Sequence, residues 1–116
     1  QSWYVDAFKK QLIEAKDPDT NPSHAVSGGP LRTLNNEFTG AWKRPEAPET
    51  LPMGLQPQLI RDSLRGAFEN QRIDLLPNAA GQIIGMIDHE RHASQVIYDI
   101  MSEAVKVLER VSLPGQ

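Results

Sequence analysis

Apolar residues near the start of the chain recur at helical spacing. Val5, Phe8, Leu12 and Ala15 fall on one side, and Lys9, Lys10, Glu14 and Lys16 on the other. Steps of three and four residues match the α-helical period, so an amphipathic helix is expected over 2–16, with Ser2 as its N-cap and Asp17-Pro18 as its stop. A second helix is expected over 58–70. Pro57 suits the first helical turn, where its missing N–H costs nothing, and Ile60, Leu64, Ala67 and Phe68 face away from Arg61, Asp62, Arg65 and Glu69. The third and longest helix runs over 90–110, where Ala93, Val96, Ile97, Ile100, Met101, Ala104, Val105, Leu108 and Val111 make a wide apolar stripe. Ahead of it, Ile83-Ile84-Gly85-Met86-Ile87 is short, almost continuously apolar and closed by Asp88, the pattern of a buried parallel strand over 83–87. A strand of that kind followed by a helix is one β/α unit and needs neighbouring strands on both sides. Little else here could supply them, and a complete eight-fold barrel takes about 250 residues. Other strands of such a barrel are therefore expected outside this chain.

Between the first two helices the pattern changes. Seven of the nine prolines lie from Pro18 to Pro57, and each removes a backbone donor and restricts the residue before it. Long regular helices are not expected there. Leu31, Leu34, Phe38, Trp42, Leu51, Met53 and Leu55 supply anchors that a solvated linker would not need, so the segment reads as ordered but irregular. Ser27-Gly28-Gly29-Pro30 signals a turn, and Leu31 and Leu34 fit either a short strand or a helical turn.

Composition narrows the function classes. The 116 residues are 39% hydrophobic, enough for a modest core. A net charge of −3 and scattered lysines and arginines argue against nucleic acid as a partner. Without cysteine there is no disulfide framework, thiolate metal site or cysteine nucleophile. That suits a reducing, cytoplasmic setting, although no sequence feature fixes the compartment. No apolar run approaches the roughly 18 residues of a membrane span, and residues 1–6 lack the pattern of a signal peptide. The opening on a helix without methionine leads to the expectation that the natural N-terminal part lies elsewhere.

Among candidate functional residues, Gly81-Gln82 has the most pointed chemistry. A glycine lets a planar ligand approach the backbone, and the adjacent amide can both donate and accept, as a flavin ring edge requires. The plainer alternative is a glycine turn with a solvent-facing glutamine. His89 and His92 stand three apart near Asp88 and Glu90, a spacing compatible with two metal ligands, but no third ligand converges in sequence and no metal is expected. His24 reads as a surface residue. Trp3, Tyr4, Phe38 and Trp42 could wall a ligand or simply be core. Ser27-Gly28-Gly29-Pro30 lacks the spacing of a phosphate-binding loop, and no serine, histidine and acid suggest nucleophilic catalysis.

Three stretches, in order, resemble the C-terminal portion of class I nitronate monooxygenases, formerly called 2-nitropropane dioxygenases, and more distantly the flavin-dependent bacterial enoyl reductases. Residues 27–39, Ser-Gly-Gly-Pro-Leu-Arg-Thr-Leu-Asn-Asn-Glu-Phe-Thr, are similar to a family segment S-G-R-P-x-R-x-x-x-N-x-F, with Gly29 in place of its arginine. The run through Leu51-Pro52-Met53 and Gln56 resembles the connection that follows. Ala80-Gly81-Gln82, the apolar segment after it and the last helix resemble A-G-Q-x-x-G-L-I and the helix closing the family's barrel.

The resemblance implies an α/β fold: the C-terminal part of a TIM-like barrel that binds FMN, plus part of an inserted lid. Residues 1–16 would be a barrel helix, 17–57 lid, and 58–116 the return to the barrel with its last β/α unit. No catalytic residue is implied in this chain. Ala80, Gly81 and Gln82 would line the flavin pocket, and Met53 or Gln56 the substrate side. The implied activity is oxidation of alkyl nitronates by dioxygen through FMN, with a small nitronate-like substrate and the enzyme's N-terminal portion as partners. Two other readings compete. A helical interaction module would keep 83–87 helical and continuous with the last helix, and a small metal-binding regulator would use His89 and His92.

Overall fold

A computed structural model describes residues 3–112. The helices fall close to the positions their periodicity predicts. Helix α1 spans Trp3–Glu14 and α3 spans Gln56–Glu69 with Pro57 in its first turn. Helix α4 spans Ala93–Ser112. Ser2, expected to cap α1, lies outside the described residues. A short helix, α2 (Glu37–Trp42), falls within the proline-rich segment. Its N-cap is Asn36, whose Oδ1 accepts from the Thr39 amide at 3.0 Å while Thr39 Oγ1 accepts from the Asn36 amide at 3.0 Å. This reciprocal capping lets a six-residue helix persist despite its length.

Strands β1 (Thr20–Ser23) and β2 (Leu31–Leu34) pair antiparallel, with Thr20 opposite Leu34 and Ser23 opposite Leu31. The reversal between them contains Gly28 at φ +86°. Of the two conformations open for Leu31–Leu34, the strand is therefore the one adopted. Along the other edge of β2, Leu34 N donates to Asn78 O at 2.9 Å and Ala80 N donates to Arg32 O at 3.1 Å. Thr33 faces Ala79 in a single antiparallel bridge. Backbone pairing thus involves residues 78–80 and stops before the apolar run.

The strand expected over 83–87 is not formed. Gln82–Met86 is a 3₁₀ turn in which Ile84 N donates to Gly81 O at 3.3 Å, and Ile87 N donates to Ile84 O at 3.0 Å. Only Ile84 is buried, whereas Ile83 and Met86 are 65% and 80% exposed. Two physical causes favour the turn. The second edge of β2 is already taken by residues 78–80, and a carboxylate from outside the run, Asp17, accepts the Gly85 amide at 2.8 Å. The helical-module reading is met in part at the same place: the run is a helical turn, but residues 87–92 are not helical and separate it from α4.

The core consists of two small clusters. Ala15, Leu34 and Ile84 meet with Leu12 and Ala80 against them, and Ala25, Phe38 and Ile60 meet with Val26, Trp42 and Leu64. An aromatic group joins α1 to α3, with Phe68 centred 5.5 Å from Trp3 and 5.2 Å from Tyr4. Trp3 and Tyr4 therefore belong to one cluster, and Phe38 and Trp42 to another. Helix α4 has no buried residue; Ile97, Ile100, Met101, Leu108 and Val111 are all at least 59% exposed. The molecule measures 62 × 32 × 24 Å, elongated for its size. No described helix is long and apolar enough to cross a membrane.

Candidate functional site

The residues Ala80, Gly81 and Gln82 stand where the chain leaves the edge of β2. Three attachments fix this point. Upstream, the Asn78 side-chain amide donates to Phe8 O at 3.3 Å and Gln11 Oε1 at 3.1 Å, holding the segment to α1. At the site itself, the Ala80 amide is committed to Arg32 O. Downstream, Ile84 is 3% exposed in the first core cluster and Gly85 rests on Asp17.

Gly81 has φ −82°, which any residue can adopt, and a Cβ placed on it would meet nothing within 4 Å. Its α-carbon thus looks onto open space, and Gln82 beside it is exposed. This arrangement leaves a flat approach to the backbone, flanked by an amide that could donate and accept at the edge of a planar ring. Close by, Thr33 is 1% exposed and its hydroxyl has no hydrogen-bond partner among the described residues.

The other candidate residues have different surroundings. Gln56 is fully buried; its Nε2 donates to Ala25 O at 2.7 Å and its Oε1 accepts from Leu51 N at 2.8 Å. Both ends of the amide thus hold backbone groups, in a side chain with no exposed surface. In this chain Gln56, expected with Met53 as an alternative for the substrate side, clamps the base of the proline-rich segment. Met53 is 72% exposed, with its sulfur lying over Gly29. The position where the resembling family carries arginine is therefore covered here by a thioether.

The histidines do not converge. His24 is exposed, with Nδ1 3.1 Å from Gly28 O. His89 Nδ1 meets Asp88 Oδ1, and the resulting hydrogen bond and charge draw the Asp88 carboxyl below its ordinary pKa. His92 is exposed. Among the described residues there is no group of three side chains suited to hold a metal ion. Nearby, Lys9 Nζ lies 2.6 Å from Glu90 Oε1, linking α1 to the connection before α4. Their hydrogen bond is the main cause that lowers the Glu90 pKa and raises that of Lys9.

Sequence reasoning singled out Gly81-Gln82 as a candidate from residue type. It missed Asp17, which had served only as a helix stop, and Thr33, whose burial follows from pairing on both sides of β2. An aspartate followed by proline does carry one usable signal, a carboxylate held at a turn and free to accept a backbone N–H.

The described residues form a small, mainly helical unit with a two-stranded sheet, and its fold has a solved counterpart. It superposes on a mutant of FabK from Thermotoga maritima with a TM-score of 0.58 and 24% identity, over 90% of this chain and 30% of that one. In sequence it is 31% identical over 103 residues to Rv1533, a candidate monooxygenase of Mycobacterium tuberculosis. That alignment takes in 84% of this chain and 28% of the relative, so the chain spans less than a third of the curated protein it matches. No family model matches the chain.

Proposed function

We propose that this chain is the C-terminal portion of an FMN-dependent oxidoreductase that oxidises alkyl nitronates with dioxygen. The observation that carries the reading is the uncovered apolar side of α4, where Ile97, Ile100, Met101, Leu108 and Val111 stand exposed together. A stripe of that width on a helix is ordinarily buried against a larger body. The N-terminal portion of the same enzyme is the body proposed here, forming the rest of a barrel with α4 on its outside. Similarity to a candidate monooxygenase, limited to 28% of its length, supports the same division. Residues 17–57 would then be lid, and 58–116 the return to the barrel.

The residues at the site fit a flavin. The open face of Gly81 admits a planar ring and the exposed Gln82 amide can hydrogen-bond its edge, with Ala80 holding the backbone against β2. Bound there, FMN would supply the redox chemistry, taking electrons from the nitronate and passing them to dioxygen. The chain's own contribution is to position the ring and to present Met53, exposed over Gly29, toward the substrate side.

The test is to express the chain together with the upstream part of its coding sequence, measure visible absorption, and follow oxygen uptake with an alkyl nitronate. Yellow protein with nitronate-dependent uptake is expected, and Gln82→Ala should weaken FMN binding about tenfold, the value of one good hydrogen bond to a polar ring. A protein that stays colourless in excess FMN would end the flavin reading. A yellow protein inert toward nitronates would end only the substrate assignment.

A further inference from the structure

The turn that carries Gln82 is held by a residue far away in sequence. Gly85 N donates to Asp17 Oδ1 at 2.8 Å across a separation of 68 residues. The fit is close on the other side as well. A Cβ at Gly85 would lie 2.5 Å from Asp17 Oδ1 and 3.1 Å from its Cγ. Asp17 and Gly85 are therefore a matched pair, in which the carboxylate occupies the space that a side chain would take. Asp17 opens the 3₁₀ turn Asp17–Asp19, itself fixed by the Lys16 amide donating to Asp19 Oδ2 at 2.8 Å. Neither the Ala80 hydrogen bond nor the burial of Ile84 sets the direction of the Gln82–Met86 turn about its own axis. The Asp17 bond does, because it fixes a third point.

From this geometry we propose that Asp17 is a positioning residue for the flavin site: it orients the Gln82 turn and so couples the first residues of the proline-rich segment to the cofactor. The inference rests on the flavin reading and extends it to a residue that does not touch the ring. An amide oxygen accepts the Gly85 N–H as a carboxylate oxygen does, so Asp17→Asn keeps the contact and Asp17→Ala loses it. Asp17→Glu keeps the charge but over-reaches by one methylene, which separates geometry from electrostatics.

The experiment uses the chain joined to its upstream portion and measures FMN affinity by flavin fluorescence, the flavin absorption spectrum, and hydrogen exchange at the Gly85 amide. Asp17→Ala and Asp17→Glu are expected to weaken FMN binding about tenfold, to shift the absorption bands and to speed Gly85 exchange. Asp17→Asn should restore all three. Gly85→Ala, which expels the carboxylate, should reproduce the loss and add little on top of Asp17→Ala. Faster exchange with unchanged FMN affinity and spectrum would overturn the positioning role while leaving the flavin reading intact. A wild-type protein that takes up no FMN would overturn both, and it would do so before any variant is made.

Discussion

A Cβ at Gly28 would lie 2.5 Å from Leu51 O and 2.6 Å from Met53 N, at a φ of +86° that favours glycine. Both the backbone angle and the contact oppose any larger residue, so Gly28→Ala is expected to destabilise the fold by about 3 kcal/mol or more. Gly81→Ala, with open space and an ordinary φ, should change stability by no more than about 0.5 kcal/mol. Urea denaturation of the two variants checks the contrast, and equal losses would refute it. Gln56 works on the same joint from inside, since its amide satisfies Ala25 O and Leu51 N. Gln56→Leu should cost about 1–3 kcal/mol, chiefly by leaving the buried Ala25 O without its partner. These residue roles were only partly legible in the sequence. Gly28 stood in a recognisable turn signal, but nothing in Gln56 or its neighbours announced a buried clamp, because its partners come from Ala25 and Leu51.

At the scale of elements, the helices were readable because period 3.6 repeats over enough residues to be distinctive. Strand β1 was not, since Thr20-Asn21-Pro22-Ser23 has no apolar alternation. Pro22 is tolerated there because an edge strand has one side without ladder bonds. The run 83–87 failed for a different reason. Short apolar stretches do not distinguish strand from helical turn, and Asp17, which decides the matter, lies 68 residues from Gly85. Pairing with β2 falls instead on Asn78-Ala79-Ala80, residues without strand propensity. The link between α1 and the approach to α4 makes a pH prediction. Lys9 favours the ionised form of Glu90, whose pKa lies below its ordinary 4.5 in the folded chain. The link therefore contributes fully above the ordinary value and is lost as pH falls through the lower folded one. Both groups are on the surface, so salt should weaken it too. NMR titration of Glu90 in wild type and Lys9→Met should show the depressed pKa return to normal in the variant; an unchanged pKa would mean that the pair does not form in solution.

For the molecule as a whole, the apolar side of α4 is the feature with the largest consequence for behaviour. In the 116-residue chain alone, Leu108→Lys or Ile100→Lys should leave the urea midpoint of the core nearly unchanged, because neither side chain is buried. On the division proposed above, the same changes should sharply reduce co-purification with the proposed upstream portion. A marked loss of core stability would show that α4 packs on this chain in solution. The joint at Gly28 has its own bearing on the whole. It brings residue 28 against residues 51–53, so everything between them forms a loop whose ends are tied. The tip at 43–46 is exposed, and lengthening a tied loop costs only a slowly growing closure entropy. Related chains can thus gain or lose residues at that tip without disturbing its base, and a fluorescent label or short epitope inserted there would report on the folded protein.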